Sequence, residues 1–280
     1  RPRMFRRGRI ETGHYRGAFA ISQDGARSWR VVKDAIPETA VCTHVTLDTT
    51  SPKDARTLYV CAMKVGGFKS TDSGESWAKM NNGLPELPNT WRTTLMPNGD
   101  LYLILVRDHL KAARIDGGLY KSTDGAESWQ KVDLPEGYNA PNELTVDPAD
   151  PNILYLACWP WLEDEHEHCG GVLQSVDGGV SWKQIFREQA HVYMAAVDPE
   201  DSNTLILNTF DNAAFRSDDR GESWRQLGGY DFKWGHRVIF DIHDPEMIYL
   251  TAFGGNAYHG PAEGTPGVKP TILNLPPLKY

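Results

Sequence analysis

One eight-residue phrase occurs five times in this chain, and it constrains the fold more than any other feature. The copies are Ser22-Gln-Asp24-Gly-Ala26-Arg-Ser28-Trp29, Ser70-Thr-Asp72-Ser-Gly74-Glu-Ser76-Trp77, Ser122-Thr-Asp124-Gly-Ala126-Glu-Ser128-Trp129, Ser175-Val-Asp177-Gly-Gly179-Val-Ser181-Trp182 and Ser217-Asp-Asp219-Arg-Gly221-Glu-Ser223-Trp224. Their tryptophans recur about every fifty residues, which marks one structural unit repeated in space. Each phrase is predicted to be a tight hairpin turn. The Asp carboxylate accepts backbone N–H groups of its own turn, the Gly supplies positive φ, and the Trp is an apolar anchor. Ala26 and Ala126 stand where the other copies have Gly, so those two turns are predicted to differ slightly in shape. All five tryptophans are predicted to be largely buried.

The pattern Ser-x-Asp-x-Gly-x-Ser-Trp resembles the Asp-box, or BNR repeat, of β-propeller proteins. The resemblance covers residues 17–260 and implies a propeller of four-stranded antiparallel blades. Sialidases, xyloglucan-type glycosidases, sortilin-like receptors and photosystem assembly factors look alike at this level, so it implies no single activity. The Arg-Ile-Pro motif of sialidases is absent, because Arg9-Ile10 is followed by Glu11. The paired aspartates of the xyloglucan-type enzymes are not recognisable either, and no catalytic residue is carried over.

Between the phrases one order of short apolar runs recurs, bounded by Asp, Pro, Asn and Gly. In the best-formed unit the strands are predicted at 143–147, 153–158, 171–175 and 181–186, with the phrase as the last turn. The fold class is therefore all-β, a β-propeller of four-stranded antiparallel blades. Four units are complete and one is incomplete at each end, which favours six blades within a range of five to seven. Residues 1–260 form the propeller, and 261–280, rich in Pro and Gly, are predicted to be an extended tail. The chain starts at Arg1 without an initiator Met, which suggests a mature form or an excerpt of a longer protein.

The balance of 29 basic against 37 acidic residues leaves a net charge of −8, which excludes a general nucleic-acid binder. No apolar run of about eighteen residues is present to span a membrane as a helix.

In such a meander the repeated turns all fall on one rim, as fasteners. Chemistry is expected on the loops of the other. Aligning the repeats places His44, Arg92, Glu143, Met194 and Arg237 in one column at the entry of the innermost strands. The column before it holds Thr43, Trp91, Asn142, Tyr193 and His236. A purely structural repeat would keep these positions alike, so their divergence points to a site grafted on the repeat. The predicted catalytic residues are His44, Arg92, Glu143, Tyr193, His236 and Arg237. The plainer alternative is a wet, polar channel mouth without a ligand.

The loops of the same rim add predicted substrate-binding residues: His14, Tyr15 and Arg16, then Trp91 and Asn142, then Trp159, Trp161, His191, Asp231 and Trp234. Aromatic faces stack on pyranose C–H faces, while charged groups take hydroxyls or uronate carboxylates. Seven of the nine histidines map to this rim. His166 and His168, with Cys158 and Cys169, make a candidate zinc set. The alternatives are a Cys158–Cys169 disulfide or an exposed acidic loop. Cys42 and Cys61 either bridge or stay as buried thiols. Two such pairs point to an extracellular or periplasmic protein.

Three readings of function follow: a glycoside hydrolase-like protein acting on a polysaccharide, with Glu143 and Asp231 or Asp108 as the carboxylate pair; a lyase on a uronate polymer, with His44, Tyr193 or His236 as base and Arg92 or Arg237 on the carboxylate; and a non-catalytic glycan- or protein-binding propeller. With Arg16, Arg92, Lys233 and Arg237 mapped to the channel mouth, an acidic glycan is expected to bind better than a neutral one. That binding is expected to weaken with salt and to strengthen as pH falls through about 6.5.

Overall fold

The computed structural model describes residues 19–32, 36–37, 40–107, 116–163, 166–210, 213–230, 234–253 and 257–269, with only the strand course described within 161–168. Six sheets follow one another along the chain. Sheet I pairs β1 (Ala20–Ile21) with β2 (Arg30–Val31). Sheet II holds β3 (Val41–Asp48), β4 (Thr57–Met63), β5 (Gly66–Ser70) and β6 (Ala78–Lys79). Sheet III holds β7 (Thr90–Leu95), β8 (Leu101–Leu105), β9 (Gly118–Ser122) and β10 (Gln130–Lys131). Sheet IV holds β11 (Pro141–Val146), β12 (Leu154–Cys158), β15 (Gly171–Ser175) and β16 (Lys183–Phe186). Its second connection carries a small hairpin of its own, β13 (Trp161–Glu163) and β14 (His166–His168). Sheet V holds β17 (Val192–Val197), β18 (Leu205–Thr209), β19 (Ala214–Ser217) and β20 (Arg225–Gln226). Sheet VI holds β21 (Gly235–Phe240), β22 (Met247–Ala252) and β23 (Ala257–Pro261).

Within each sheet the strands lie in chain order and pair antiparallel, and no helix occurs among the described residues. The architecture is a β-propeller. Its core lies in the seams between sheets rather than at the centre. Tyr155, Ala157 and Val172 of sheet IV pack on Ala195, Leu207 and Phe215 of sheet V. Tyr102, Ile104 and Leu119 of sheet III pack on Leu144, Leu156 and Leu173 of sheet IV. This explains why the second strands read as unbroken apolar runs: both faces of β8, β12 and β18 are buried.

The five repeated phrases are the turns between the last two strands of sheets I to V, and each folds the same way. The first Ser hydroxyl donates to the Asp at 2.9 Å in the first copy and 2.7 Å in the other four. The same hydroxyl oxygen accepts a backbone N–H four residues on, at 2.8–2.9 Å. The Asp then accepts the backbone N–H and the hydroxyl of the second Ser, as in Ser181 N at 2.9 Å and Ser181 Oγ at 2.5 Å on Asp177. These donors, the second Ser hydroxyl foremost, hold Asp24, Asp124, Asp177 and Asp219 down from 3.8 to about 2, and lower Asp72 as well.

Ala26 and Ala126 do not reshape their turns. They take φ values of 68° and 72°, close to the 85°, 86° and 92° of Gly74, Gly179 and Gly221, and keep the Ser and Asp bonds described above. The hydrogen-bonded ring of side chains is strong enough to hold an alanine in the left-handed region. Gly is favoured elsewhere for a second reason. A Cβ at Gly179 would stand 2.9 Å from the Tyr102 hydroxyl, and one at Gly221 2.5 Å from Ile185 Cδ1.

The turns also clip each sheet to the one before it. Trp129 Nε1 donates to Met80 O and Trp224 Nε1 to Ile185 O, both at 2.8 Å. Tyr102 donates its hydroxyl to Gly178 O at 2.5 Å, and Gln174 Nε2 reaches Arg220 O at 3.2 Å.

The expected burial of all five tryptophans fails at one end. Trp129 is 3% exposed, whereas Trp29 is 61% exposed. Trp77, Trp182 and Trp224 are half-buried. A tryptophan of this turn is covered by the preceding sheet, and among the described residues no sheet lies against Trp29. Tyr249 of sheet VI is likewise 40% exposed, although its counterparts Tyr59, Tyr102 and Tyr155 are buried. Residues 261–269 turn back instead of extending away: Thr265 N donates to Gly228 O at 2.9 Å, and Arg216 pairs with Glu263 at 2.9 Å.

Candidate functional site

The first strand of every sheet from II to VI carries an irregularity at the same depth. The pairing skips between Cys42 and His44, Thr90 and Arg92, Pro141 and Glu143, Val192 and Met194, and Gly235 and Val238. These are β-bulges, in which an extra residue re-aims its neighbours and sharpens the local twist. Their extra residues include Thr43, Trp91, Asn142 and Tyr193. The two columns read from the sequence are the two residues of one recurrent bulge.

The bulge brings the column of Arg92, Glu143, Met194 and Arg237 together. Arg92 Nη1 donates to Glu143 Oε1 at 3.0 Å and stands 3.0 Å from Oε2, and Arg237 Nη1 reaches Oε2 at 3.0 Å. Arg237 Nη1 also lies 3.9 Å from the Met194 sulfur. Side chains from sheets III, IV, V and VI thus meet around one carboxylate. Burial pushes the Glu143 carboxyl up, and the two guanidiniums oppose that shift. His44 and His236 feel the same ring. Burial first, then the charges of Arg92 and Arg237, lowers both from 6.5 to about 4. Both imidazoles are neutral at pH 7. The expected gain in binding near 6.5 is therefore not theirs to provide, because protonation is deferred to near pH 4.

Beside this charged ring lies an aromatic strip. Tyr193 stacks on His191 at 4.9 Å and meets Trp159 edge-on at 4.7 Å. It also touches Phe253 at 4.9 Å and His236 edge-on at 5.1 Å. His191 stacks on Phe210 at 4.8 Å, and Phe210 lies 6.3 Å from Trp234, which is exposed. Phe210 and Phe253 were not foreseen. Each directly follows a second strand, at the position Trp159 holds after β12, and aligning that position across the repeats would have found them.

The predicted catalytic residues do converge: His44, Arg92, Glu143 and Arg237 in the ring, Tyr193 and His236 where ring and strip meet. Trp159, His191 and Trp234 belong to the strip. Two others have structural work. Asn142 Nδ2 donates to Tyr193 O at 3.0 Å, much as Thr43 Oγ1 donates to Trp91 O at 2.8 Å, so these bulge side chains tie neighbouring sheets. Trp91 packs its ring against the core of sheets III and IV. His14, Tyr15, Arg16, Asp108, Asp231 and Lys233 lie outside the described residues.

His166 and His168 pair with Glu163 and Trp161 in the inserted hairpin, and their side chains lie outside the described residues. Among the described residues no group of three potential ligands is placed to hold a metal ion. All four cysteines are free thiols, and burial pushes Cys61 up to about 12 and raises Cys158 further from its ordinary value. The reading of an oxidising compartment from two disulfides loses that support.

No family model matches the chain. Curated relatives do. The chain is 28% identical over 153 residues to the xyloglucanase Xgh74A of Acetivibrio thermocellus, covering 49% of this chain and 18% of the relative. It is 26% identical over 173 residues to a xyloglucanase of Paenibacillus sp, covering 54% of this chain and 17% of that protein. A xyloglucanase of Hypocrea jecorina is 23% identical over 248 residues, 72% of this chain and 28% of its own length. The chain thus spans under a third of the relatives it matches. Among solved structures, an ancestral GH74 enzyme superposes with a TM-score of 0.58 at 19% identity, over 78% of this chain and 31% of that one. YCF48 from Cyanidioschyzon merolae gives 0.52 at 15% identity, over 78% of this chain and 66% of that one. At these identities the structural likeness is one of fold.

Proposed function

We propose that this chain is a carbohydrate-active, glycoside hydrolase-like β-propeller that takes a polysaccharide across the rim opposite the repeated turns, outside the cell or in the periplasm. One observation carries the reading: the aromatic strip from Trp159 to Trp234 runs beside a ring of charged side chains at the channel. Aromatic faces bind sugar rings without demanding one hydroxyl pattern, and the polar ring adds orientation. The similarity to xyloglucanases over half the chain supports the same ligand class. No helix among the described residues is long and apolar enough to cross a membrane. Hydrolysis needs two carboxylates. Glu143 is the carboxylate of the ring, and Asp108 and Asp231 are the sequence-predicted partners.

Elimination on a uronate polymer is the second reading, and one observation favours it. His236 is neutral at pH 7, touches the Tyr193 ring at 5.1 Å, and neighbours Arg237 in the chain. A neutral imidazole, or Tyr193 as its phenolate, would take the C5 proton, the C–H electrons would form the C4–C5 double bond, and the C4 oxygen would leave with a proton taken from water or from the protonated base.

The test is titration of xyloglucan oligosaccharides into the protein and its Trp234→Ala and Phe253→Ala variants, with product analysis. Both variants are expected to bind at least about tenfold more weakly with unchanged melting temperature, since both side chains are exposed. New reducing ends without absorbance near about 235 nm would identify hydrolysis, and that absorbance on incubation with a uronate oligosaccharide would identify elimination. Glycan binding with neither product would identify the non-catalytic binder. Unaltered binding in both variants would remove the strip from the site.

A further inference from the structure

The ring at the channel holds more positive charge and more hydrogen-bond donors than it uses. Among the described residues two guanidiniums face one carboxylate, and the two nearby histidines are neutral, which leaves one positive charge over. Each arginine meets Glu143 through Nη1. Arg92 Nε is a buried N–H group with no hydrogen-bond partner among the described residues. A buried donor without an acceptor costs about 1–3 kcal/mol. Such donors persist where an acceptor from outside completes them, and a guanidinium edge fits a carboxylate with two parallel bonds.

Access is graded in the same sense. The arginine side chains are 19% and 23% exposed, against 8% for Glu143, so a ligand meets the guanidiniums before the resident carboxylate. His236 links ring and strip, being the chain neighbour of Arg237 and in contact with both Tyr193 and Phe253. A ligand stacked on the strip reaches the arginines without leaving the rim.

We propose that Arg92 and Arg237 bind the carboxylate of an acidic sugar unit in the glycan carried by the aromatic strip; this rests on the glycan reading above. The uncharged face of the sugar lies on the strip, and its C6 carboxylate completes the donors that Glu143 leaves open. Glu143 then serves as the counter-charge that keeps two arginines close enough to share one incoming anion. The opposing account is that Glu143 neutralises the ring as a purely structural plug.

The experiment compares trigalacturonate with galactotriose by calorimetry on the full chain, at about 50 mM and about 300 mM salt. The acidic trisaccharide is expected to bind at least about tenfold more tightly at low salt, with the advantage shrinking at high salt. In Arg237→Gln the advantage is expected to fall to about twofold or less. If Arg237→Gln melts early, Arg237→Lys and the salt response of the unaltered protein decide. Equal affinities for the two trisaccharides, or an advantage indifferent to salt and to the Arg237 variants, would overturn the carboxylate site and leave the strip standing. Binding of neither sugar would overturn the carboxylate site, while the xyloglucan titration above decides the glycan reading itself. Hexaglutamate bound as tightly as trigalacturonate would assign the ring to an acidic peptide and overturn the proposal.

Discussion

On the rim of the repeated turns, five aspartates accept the same bonds from the same two serines, and the distances agree to within about 0.2 Å across most of the set. On the opposite rim five bulges occupy one depth, yet they present His, Arg, Glu, Met and Arg to the channel. The backbone repeats on both rims. Side chains repeat only where their partner is the backbone of their own turn or of the next sheet, because that backbone is the same in every unit. At the channel the partners are one another, so each residue is chosen against four different neighbours. A fastener tolerates no variety, and a site requires it.

The largest expected effect tests the fastener side. Trp129→Ala is expected to cost about 3–5 kcal/mol in denaturant unfolding, as for other large core truncations, because it empties a seam and leaves Met80 O without its donor. Trp29→Ala removes the same residue type from the same turn and is expected to cost less than about 0.5 kcal/mol. Similar losses for the two would show that the turn itself, rather than the seam, holds the energy.

Gly179→Ala comes next. It places a Cβ at φ 86°, 2.9 Å from the Tyr102 hydroxyl, and should lose about 1–2 kcal/mol from the left-handed backbone alone. An unchanged unfolding midpoint would mean that the seam yields more readily than packing suggests.

Acid titration separates the rims. Groups whose folded pKa lies below the unfolded value stabilise fully above the unfolded value and lose that stability as pH falls towards the folded one. For His44 and His236 the window runs from 6.5 down to about 4. For the turn aspartates it runs from 3.8 down to about 2. Thermal melting is therefore expected to decline in two stages, and His44→Gln with His236→Gln should remove the first alone. A single decline beginning below pH 4, in the unaltered protein, would show that the channel histidines are solvated.

The smallest effect is expected from Ala126→Gly. It relieves φ 72° but deletes a buried methyl worth about 0.8 kcal/mol, so the net change should stay within about 0.5 kcal/mol. A gain well above that would show that the ring of hydrogen bonds holds Ala126 under real strain.

The sequence by itself determined what local chemistry can determine. A Ser-x-Asp phrase closes on its own backbone, so five turns were legible residue by residue, and with them the strand order and the repeat. The two columns at the entry of the inner strands were legible as well, because alignment of repeats needs only spacing. The bulge beneath them was not, since a one-residue slip in pairing depends on the partner strand. Nor was the meeting of Arg92 and Arg237 on Glu143, which joins residues 51 apart and more and is decided by the channel's curvature. The neutral state of His44 and His236 follows from that meeting and from burial. Trp29 shows the reverse limit: its phrase matches the others, but burial of a seam residue is a property of two sheets, and tertiary structure alone decides whether the second sheet is there.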